Sequence, residues 1–193
     1  MLQTARREDV PAMLAIYSPY VLTTTATFEY DPPSLEEFYR RYDTITAQFP
    51  WLKWEENGEI LGYAYAAAPY SRPAYAWCAE PTIYLKPEAR GKGIGPKLYT
   101  ALEAILRKQG YQVCYALVSE ENRASQAFHR KMGYEKRAFY PNCGFKFGRW
   151  IGLNWMEKRL CDVKTPNGFP VSWMSIVQTG ETLADFLDDL SLF

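Results

Sequence analysis

Residues 84–106 read YLKPEARGKGIGPKLYTALEAIL, with glycine at every second position from 91 to 95 and a helical pattern immediately after. A turn of small residues strips side chains away from the main chain. Successive N–H groups at the start of the following helix then point outward, where the helix dipole helps them hold an anion. Pro96 suits the first turn of such a helix, whose N–H groups have no internal partner. Two phosphate loops are excluded. A P-loop needs glycine where Pro96 stands and Ser or Thr where Leu98 stands. A dinucleotide fingerprint needs glycine at 96 and an acidic residue about 20 positions on, where residues 116–118 are Ala-Leu-Val. The glycine triplet alone also fits a tight strand-to-helix connection that binds nothing.

Just before the turn, YAWCAEPTIYL (residues 75–85) is an apolar stretch interrupted by Pro81, which cannot donate to a ladder. It predicts a buried strand with an irregularity in its middle. After the turn, the spacing predicts a helix over about 95–108, a strand over 111–118, a helix over 122–131, and strands over 134–140 and 149–159. Upstream, Asp9 and Pro11 open a helix carrying Val10, Met13, Leu14 and Tyr17, after a short first strand. Ser34 and Glu37 form a capping box for a second helix with Leu35, Phe38, Tyr42 and Ile45 on one side. Residues 21–33, β-branched and proline-terminated, read as an extended loop between them. Residues 51–66 are two apolar runs around Asn57-Gly58, the signature of a tight hairpin. The resulting order is a mixed sheet covered by helices.

The chain has 193 residues, 48% hydrophobic, enough for one substantial core. Its 22 basic and 22 acidic residues balance, so no whole-chain field favours nucleic acid or an acidic membrane. No apolar run reaches the roughly 18–20 residues of a membrane span, and MLQTARREDV lacks the layout of a signal peptide. A cytoplasmic protein is expected. Cys78, Cys114, Cys143 and Cys161 form no CxxC pair and His129 is the one histidine, which argues against a metal site and for four reduced thiols. No Ser-His-Asp grouping argues for a hydrolase, and a single histidine leaves little room for one. After Cys161 the pattern changes. A turn cluster at Thr165–Gly168 precedes Leu183, Phe186, Leu187 and Leu190 at helical spacing, a short amphipathic helix that needs a surface to dock on. The division expected is therefore 1–160 for the folded domain and 161–193 for a C-terminal extension.

Arg90, Gly93 and Gly95 match the (Arg or Gln)-x-x-Gly-x-(Gly or Ala) signature of the GNAT acetyltransferase superfamily, with Ile83-Tyr84-Leu85 as its central strand. NRASQAFHRKMGY (residues 122–134) resembles the same superfamily's second coenzyme motif. TATFEY, FPWL, RPAYAWCAEPTIYL, LYTAL and GFKFGRWIGLNW further resemble the phosphinothricin and methionine sulfoximine N-acetyltransferase group. This resemblance covers the first 160 residues. It implies the α/β (α+β mixed) GNAT fold, a central, mostly antiparallel mixed sheet with splayed strands flanked by helices.

The resemblance also implies a reaction: acetyl transfer from acetyl-CoA directly to the primary amine of a small amino acid or analogue, with no metal. Coenzyme contacts are expected at Ile83, Tyr84 and Leu85, at Arg90, Gly91, Lys92, Gly93, Ile94, Gly95 and Pro96, and at Asn122, Ser125 and Lys131. The main chain of Ile83 and Leu85 would pair with the pantetheine arm, and an N–H near Tyr84 or Leu85 would polarise the thioester carbonyl. An amine in water is mostly protonated, so a base is needed. Glu80 matches the family's glutamate, acting through a water; a solvated strand-edge glutamate is the bland alternative. His129 stands where relatives carry the acid that protonates the leaving thiolate, and equally suits a packing role. For the acceptor, Arg72 matches an arginine able to hold a carboxylate in a bidentate fork, with Phe28 and Tyr75 as walls or as core aromatics. Detoxifying members carry histidines where this chain has Phe147 and Ile151, which bears on phosphinothricin itself rather than on acetyl transfer. The family's members are commonly homodimers. Two other functions stay open, a non-catalytic CoA-binding module and a protein N-acetyltransferase.

Overall fold

In the computed structural model, which describes residues 1–162 and 164–178, the chain begins with β1 (Leu2–Thr4), α1 (Val10–Thr23) and α2 (Leu35–Thr46). A hairpin of β2 (Trp51–Glu56) and β3 (Glu59–Ala67) follows, then β4 (Cys78–Leu85), α3 (Ile94–Gln109) and β5 (Val113–Ser119). The chain continues through α4 (Arg123–Lys131), β6 (Glu135–Lys146), β7 (Arg149–Arg159) and a short α5 (Trp173–Gln178). The strands form one seven-stranded sheet in the order β1-β2-β3-β4-β5-β7-β6. All neighbours are antiparallel except β4 and β5.

That exception positions the site. The parallel pairing of β4 with β5 stops after Cys78↔Val113 and Ala79↔Cys114, and the strands then diverge. Lys86 N–H bonds to the Leu61 carbonyl, and the register places Pro81 opposite Ala66 and Tyr84 opposite Tyr63. By the antiparallel alternation, the odd-numbered residues of β4 from 81 to 85 turn their N–H and C=O away from β3, toward β5. Pro81 has no N–H to offer there, so the ladder fails where the sequence breaks. Its carbonyl instead accepts from the Tyr99 hydroxyl at 3.0 Å.

Helix α3 lies on one face of the sheet with Leu98, Tyr99, Leu102, Ile105 and Leu106 fully buried. Burial of each large aliphatic side chain is worth roughly 1.5–3 kcal/mol. On the other face, Val10, Met13 and Val21 of α1 and Phe38 and Tyr42 of α2 pack with Trp51 and Tyr63. Asn57 and Gly58 take φ of 52° and 78°, the conformation of the expected hairpin turn.

Several expectations are corrected. Residues 21–23 continue α1 instead of opening the loop. Val21 is fully buried, and the Thr23 and Thr24 hydroxyls donate to the carbonyls of Pro19 and Tyr20 at 2.7 Å, satisfying the helix end. Ser34 Oγ accepts from Glu37 N–H at 3.1 Å, but the Glu37 carboxylate turns to Arg40 and Arg41, so only half of the capping box forms. Leu35 is exposed rather than part of the buried stripe.

The extension packs back as far as it is described. Trp77 stacks on Phe169 with centroids 5.2 Å apart and donates to the Gly168 carbonyl, while Gln109 Nε2 bridges the carbonyls of Gln48 and Val171. Trp173, 3% exposed, joins the main core. The amphipathic helix expected around Leu183–Leu190 lies outside the described residues. Among those residues no helix is long and apolar enough to cross a membrane.

Candidate active site

Past Ala79 the widening gap between β4 and β5 becomes a cavity of about 1020 Å³. At one end stands the glycine turn. Gly91 and Gly93 have φ of 76° and 78°, and a Cβ on either would meet nothing within 4 Å, so glycine serves main-chain shape there rather than packing. Gly95 differs: its Cβ would lie 3.4 Å from both Leu85 Cδ1 and Phe128 Cε2, so its smallness seats α3 against β4. Gly93 is the N-cap of α3, and Pro96 follows within the first turn. The Asn122 side chain accepts from Ser125 N–H at 3.1 Å and caps α4, whose N-terminus also borders the cavity. Ser125 and Lys131 line it as well. Ile94 turns its side chain into the core at 2% exposure and Lys92 is exposed, and neither side chain is in the lining.

Along β4 the register leaves Ile83 and Leu85 presenting N–H and C=O to the gap. Tyr84 falls on the opposite phase. Its N–H belongs to the β3 ladder, and its ring packs edge-on against Tyr17 and Tyr20 at 4.8 and 5.0 Å. Of the two residues named for polarising a carbonyl, only Leu85 thus faces the right way. Its main chain is already bonded to Tyr20. The Tyr20 hydroxyl donates to the Leu85 carbonyl at 2.5 Å and accepts from Leu85 N–H at 3.2 Å and from Arg90 Nη2 at 2.9 Å.

Glu80 lines the cavity beside the bend at Pro81. No described donor reaches its carboxylate, and burial alone pushes its pKa up. A partly buried carboxylate with a raised pKa and no partner is the arrangement of a base held ready for a substrate proton. His129 is also in the wall but is inwardly engaged. Its Nδ1 is 2.8 Å from the Ser125 carbonyl and its Nε2 is 2.9 Å from the Tyr99 hydroxyl. Burial lowers its pKa, so the neutral ring is favoured. With both nitrogens occupied, the geometry gives His129 no free proton for the cavity, and the acid role does not follow from it.

The far end is built from segments that local sequence patterns do not mark. Thr27 and Glu29 come from the loop after α1, Arg41 from α2, Tyr65 from β3, Phe147 from the β6–β7 turn and Arg149 from the start of β7. Arg41 donates to Glu29 at 2.6 Å and to Glu37 at 2.9 Å. Arg149 grips Glu121 through two bonds of 2.8 Å. Lys146, 1% exposed, donates to the carbonyls of Val21, Thr24 and Thr27 at 2.7, 2.9 and 2.8 Å, tying the β6–β7 turn to the loop after α1. The three residues expected around the acceptor stand outside this lining. Phe28 seats its ring over Gly144, where a Cβ would come within 2.6 Å of it. Arg72 is exposed at the start of a short 3-10 turn, and Tyr75 lies tilted against Tyr70, centroids 4.4 Å apart, on the surface.

The family described as acetyltransferase (GNAT) domain matches residues 2–155. The chain belongs to the GNAT acetyltransferases. Among its GNAT relatives, a phosphinothricin N-acetyltransferase of Alcaligenes faecalis is 36% identical over 161 residues, 82% of each chain. An L-methionine sulfoximine/L-methionine sulfone acetyltransferase of Pseudomonas aeruginosa is 36% identical over 79% of this chain and 90% of its own. A solved GNAT phosphinothricin acetyltransferase of Sinorhizobium meliloti in complex with AcCoA matches with a TM-score of 0.83 and 36% identity, over 88% of this chain and 94% of that one. The protein is therefore an acetyl-CoA-dependent N-acetyltransferase of GNAT fold. The cavity fits that co-substrate on its own terms. An open, positive-φ turn at a helix N-terminus suits a diphosphate, and a β4 edge that β5 does not pair past Ala79 suits an amide-bearing arm.

Proposed function

We propose that this GNAT enzyme acetylates the primary amine of a small amino acid or analogue of the methionine sulfoximine and phosphinothricin kind, in the cytoplasm and as a homodimer. The names of its relatives support the acceptor class. The observation that carries the site assignment is the carboxylate of Glu80, without a partner among the described residues, in the same cavity as the glycine turn. In this reading residues 1–160 form the catalytic domain and 161–193 an extension.

Acetyl-CoA supplies an activated acetyl thioester. The main chain of residues 91–96 holds its diphosphate, with Asn122, Ser125 and Lys131 alongside, and Ile83 and Leu85 pair with its arm. Glu80 takes the proton that the acceptor nitrogen loses, through a water, as nitrogen bonds to carbon and sulfur departs. Alignment of amine and thioester along β4 supplies most of the acceleration. His129 and the Pro81 carbonyl both lie within hydrogen-bond reach of the Tyr99 hydroxyl, so His129 packs behind the bend that carries Glu80 and acts as a positioning residue. Thr27, Glu29 and Arg41 shape the acceptor end, with Arg72, Phe28 and Tyr75 around its outside.

CoA release measured across amino acids, methionine sulfoximine, phosphinothricin and short peptides tests the acceptor assignment. Free amino acids or their analogues are expected to be acetylated. Turnover of peptide N-termini alone, or of no amine while acetyl-CoA binds, would overturn it in favour of a protein acetyltransferase or a CoA-binding module.

A further inference from the structure

A hydroxyl has one proton and two lone pairs. That of Tyr20 uses all three: it donates to the Leu85 carbonyl and accepts from Leu85 N–H and from Arg90. Its ring is fixed by Tyr84 at 5.0 Å and by the Arg90 guanidinium at 5.3 Å from the ring centre. The Leu85 groups it engages are the pair that the β4 register turns away from β3 and into the gap. Among the described residues β5 pairs with β4 only as far as Ala79, so no neighbouring strand satisfies them. Tyr20 therefore does at Leu85 what a secondary amide would do, one donor and one acceptor presented side by side.

We infer that Tyr20 is a built-in competitor for acetyl-CoA: its hydroxyl occupies the main-chain pair of Leu85 in the free enzyme and is displaced when the pantetheine arm pairs there. The inference rests on the proposed course of that arm along Ile83–Leu85. The same main-chain N–H cannot serve both partners well, and the displaced hydroxyl also releases Arg90 toward the cavity that it lines. Tyr20 thus keeps an otherwise unpaired strand end satisfied until the co-substrate arrives.

The test compares wild type with Tyr20→Phe, which keeps the ring and removes only the hydroxyl. Two readouts are used: the dissociation constant for CoA by calorimetry and hydrogen exchange of the Leu85 amide by NMR. The variant is expected to bind CoA more tightly, by about tenfold for the loss of competing bonds. Its Leu85 amide is expected to exchange faster than wild type without ligand and to be protected equally with CoA. Weaker CoA binding would show that Tyr20 belongs to the co-substrate's own grip, and unchanged affinity would show that it does not compete. Either result overturns the inference while the arm assignment stands, provided that CoA protects the Leu85 amide. Binding of CoA with no such protection in either protein would instead overturn the arm assignment, and the inference with it.

Discussion

Replacement of Glu80 by glutamine should move activity and stability in opposite directions. The carboxylate lies in the cavity wall with no described donor in reach, and burial alone raises its pKa above the ordinary value of 4.5. The sign follows from linkage. A carboxyl whose folded pKa exceeds its unfolded one contributes its stability at pH below the unfolded value, and that contribution is lost as pH rises through the folded pKa. At neutral pH the wild type therefore carries a charged, unpaired group that Glu80→Gln removes. Removing the desolvation cost of that charge raises stability, and for a chain this size each 1 kcal/mol moves Tm by about 2–4 °C. The variant should melt a few degrees higher at pH 7.5 and converge with wild type near pH 4. In the same protein, kcat should fall by about 10²–10³, within the range of general-base catalysis. The acid limb of kcat/KM, placed above pH 4.5 in wild type, should vanish. Calorimetric scans from pH 4 to 8 and a pH–rate profile for the acetylated amine check both halves. Loss of stability together with activity, or an unaltered acid limb, would refute the assignment of a poised base.

Gly93→Glu, which puts a side chain and a negative charge at a φ of 78° on the turn proposed to hold the diphosphate, should weaken CoA binding by at least about tenfold, read by calorimetry. Lys146→Met should cost about 3 kcal/mol, because it strips a charged donor from three carbonyls; urea unfolding measures it, and the KM for the amine should rise more than that for acetyl-CoA. His129, whose pKa is lowered from 6.5 by burial, contributes stability that is complete above about pH 6.5 and is lost as the pH falls toward its folded value. His129→Gln should flatten that acid-side decline in Tm. Lys158 pairs at 2.5 Å with Glu103, which is 3% exposed, so Lys158→Met should destabilise by about 3 kcal/mol, again read by urea unfolding.

What the sequence made legible is what short-range chemistry controls. Asn57-Gly58 admits few backbones other than a tight turn. Gly91, Gly93 and Pro96 dictate a bare helix start, and Pro81 marks where a ladder must fail. Glu80 stood out because an acidic residue inside an apolar run needs a reason. The acceptor end was not legible in the same way. Arg41 and Glu29 are twelve positions apart and read as ordinary surface charges, and Lys146 meets the loop after α1 across more than a hundred residues. Tyr17 and Tyr20 sit at helical spacing among apolar neighbours and cannot be told from core aromatics by pattern. Arg72, Phe28 and Tyr75 carried a family correspondence, but their placement depends on how the segment before β4 and the loop after α1 fold, which no local rule fixes. Residues 21–23 show the reverse failure, where burial of Val21 overrides a β-branched run.

Lys146 acts on the cavity like a rivet through two plates. Because its ammonium fastens the β6–β7 turn to three carbonyls at and beyond the end of α1, the two walls of the acceptor end form one rigid jaw rather than two adjustable lips. An altered acceptor preference then has to come from exchanging side chains on a fixed frame. Lengthening or shortening either segment would pull the fastener out and open both walls together.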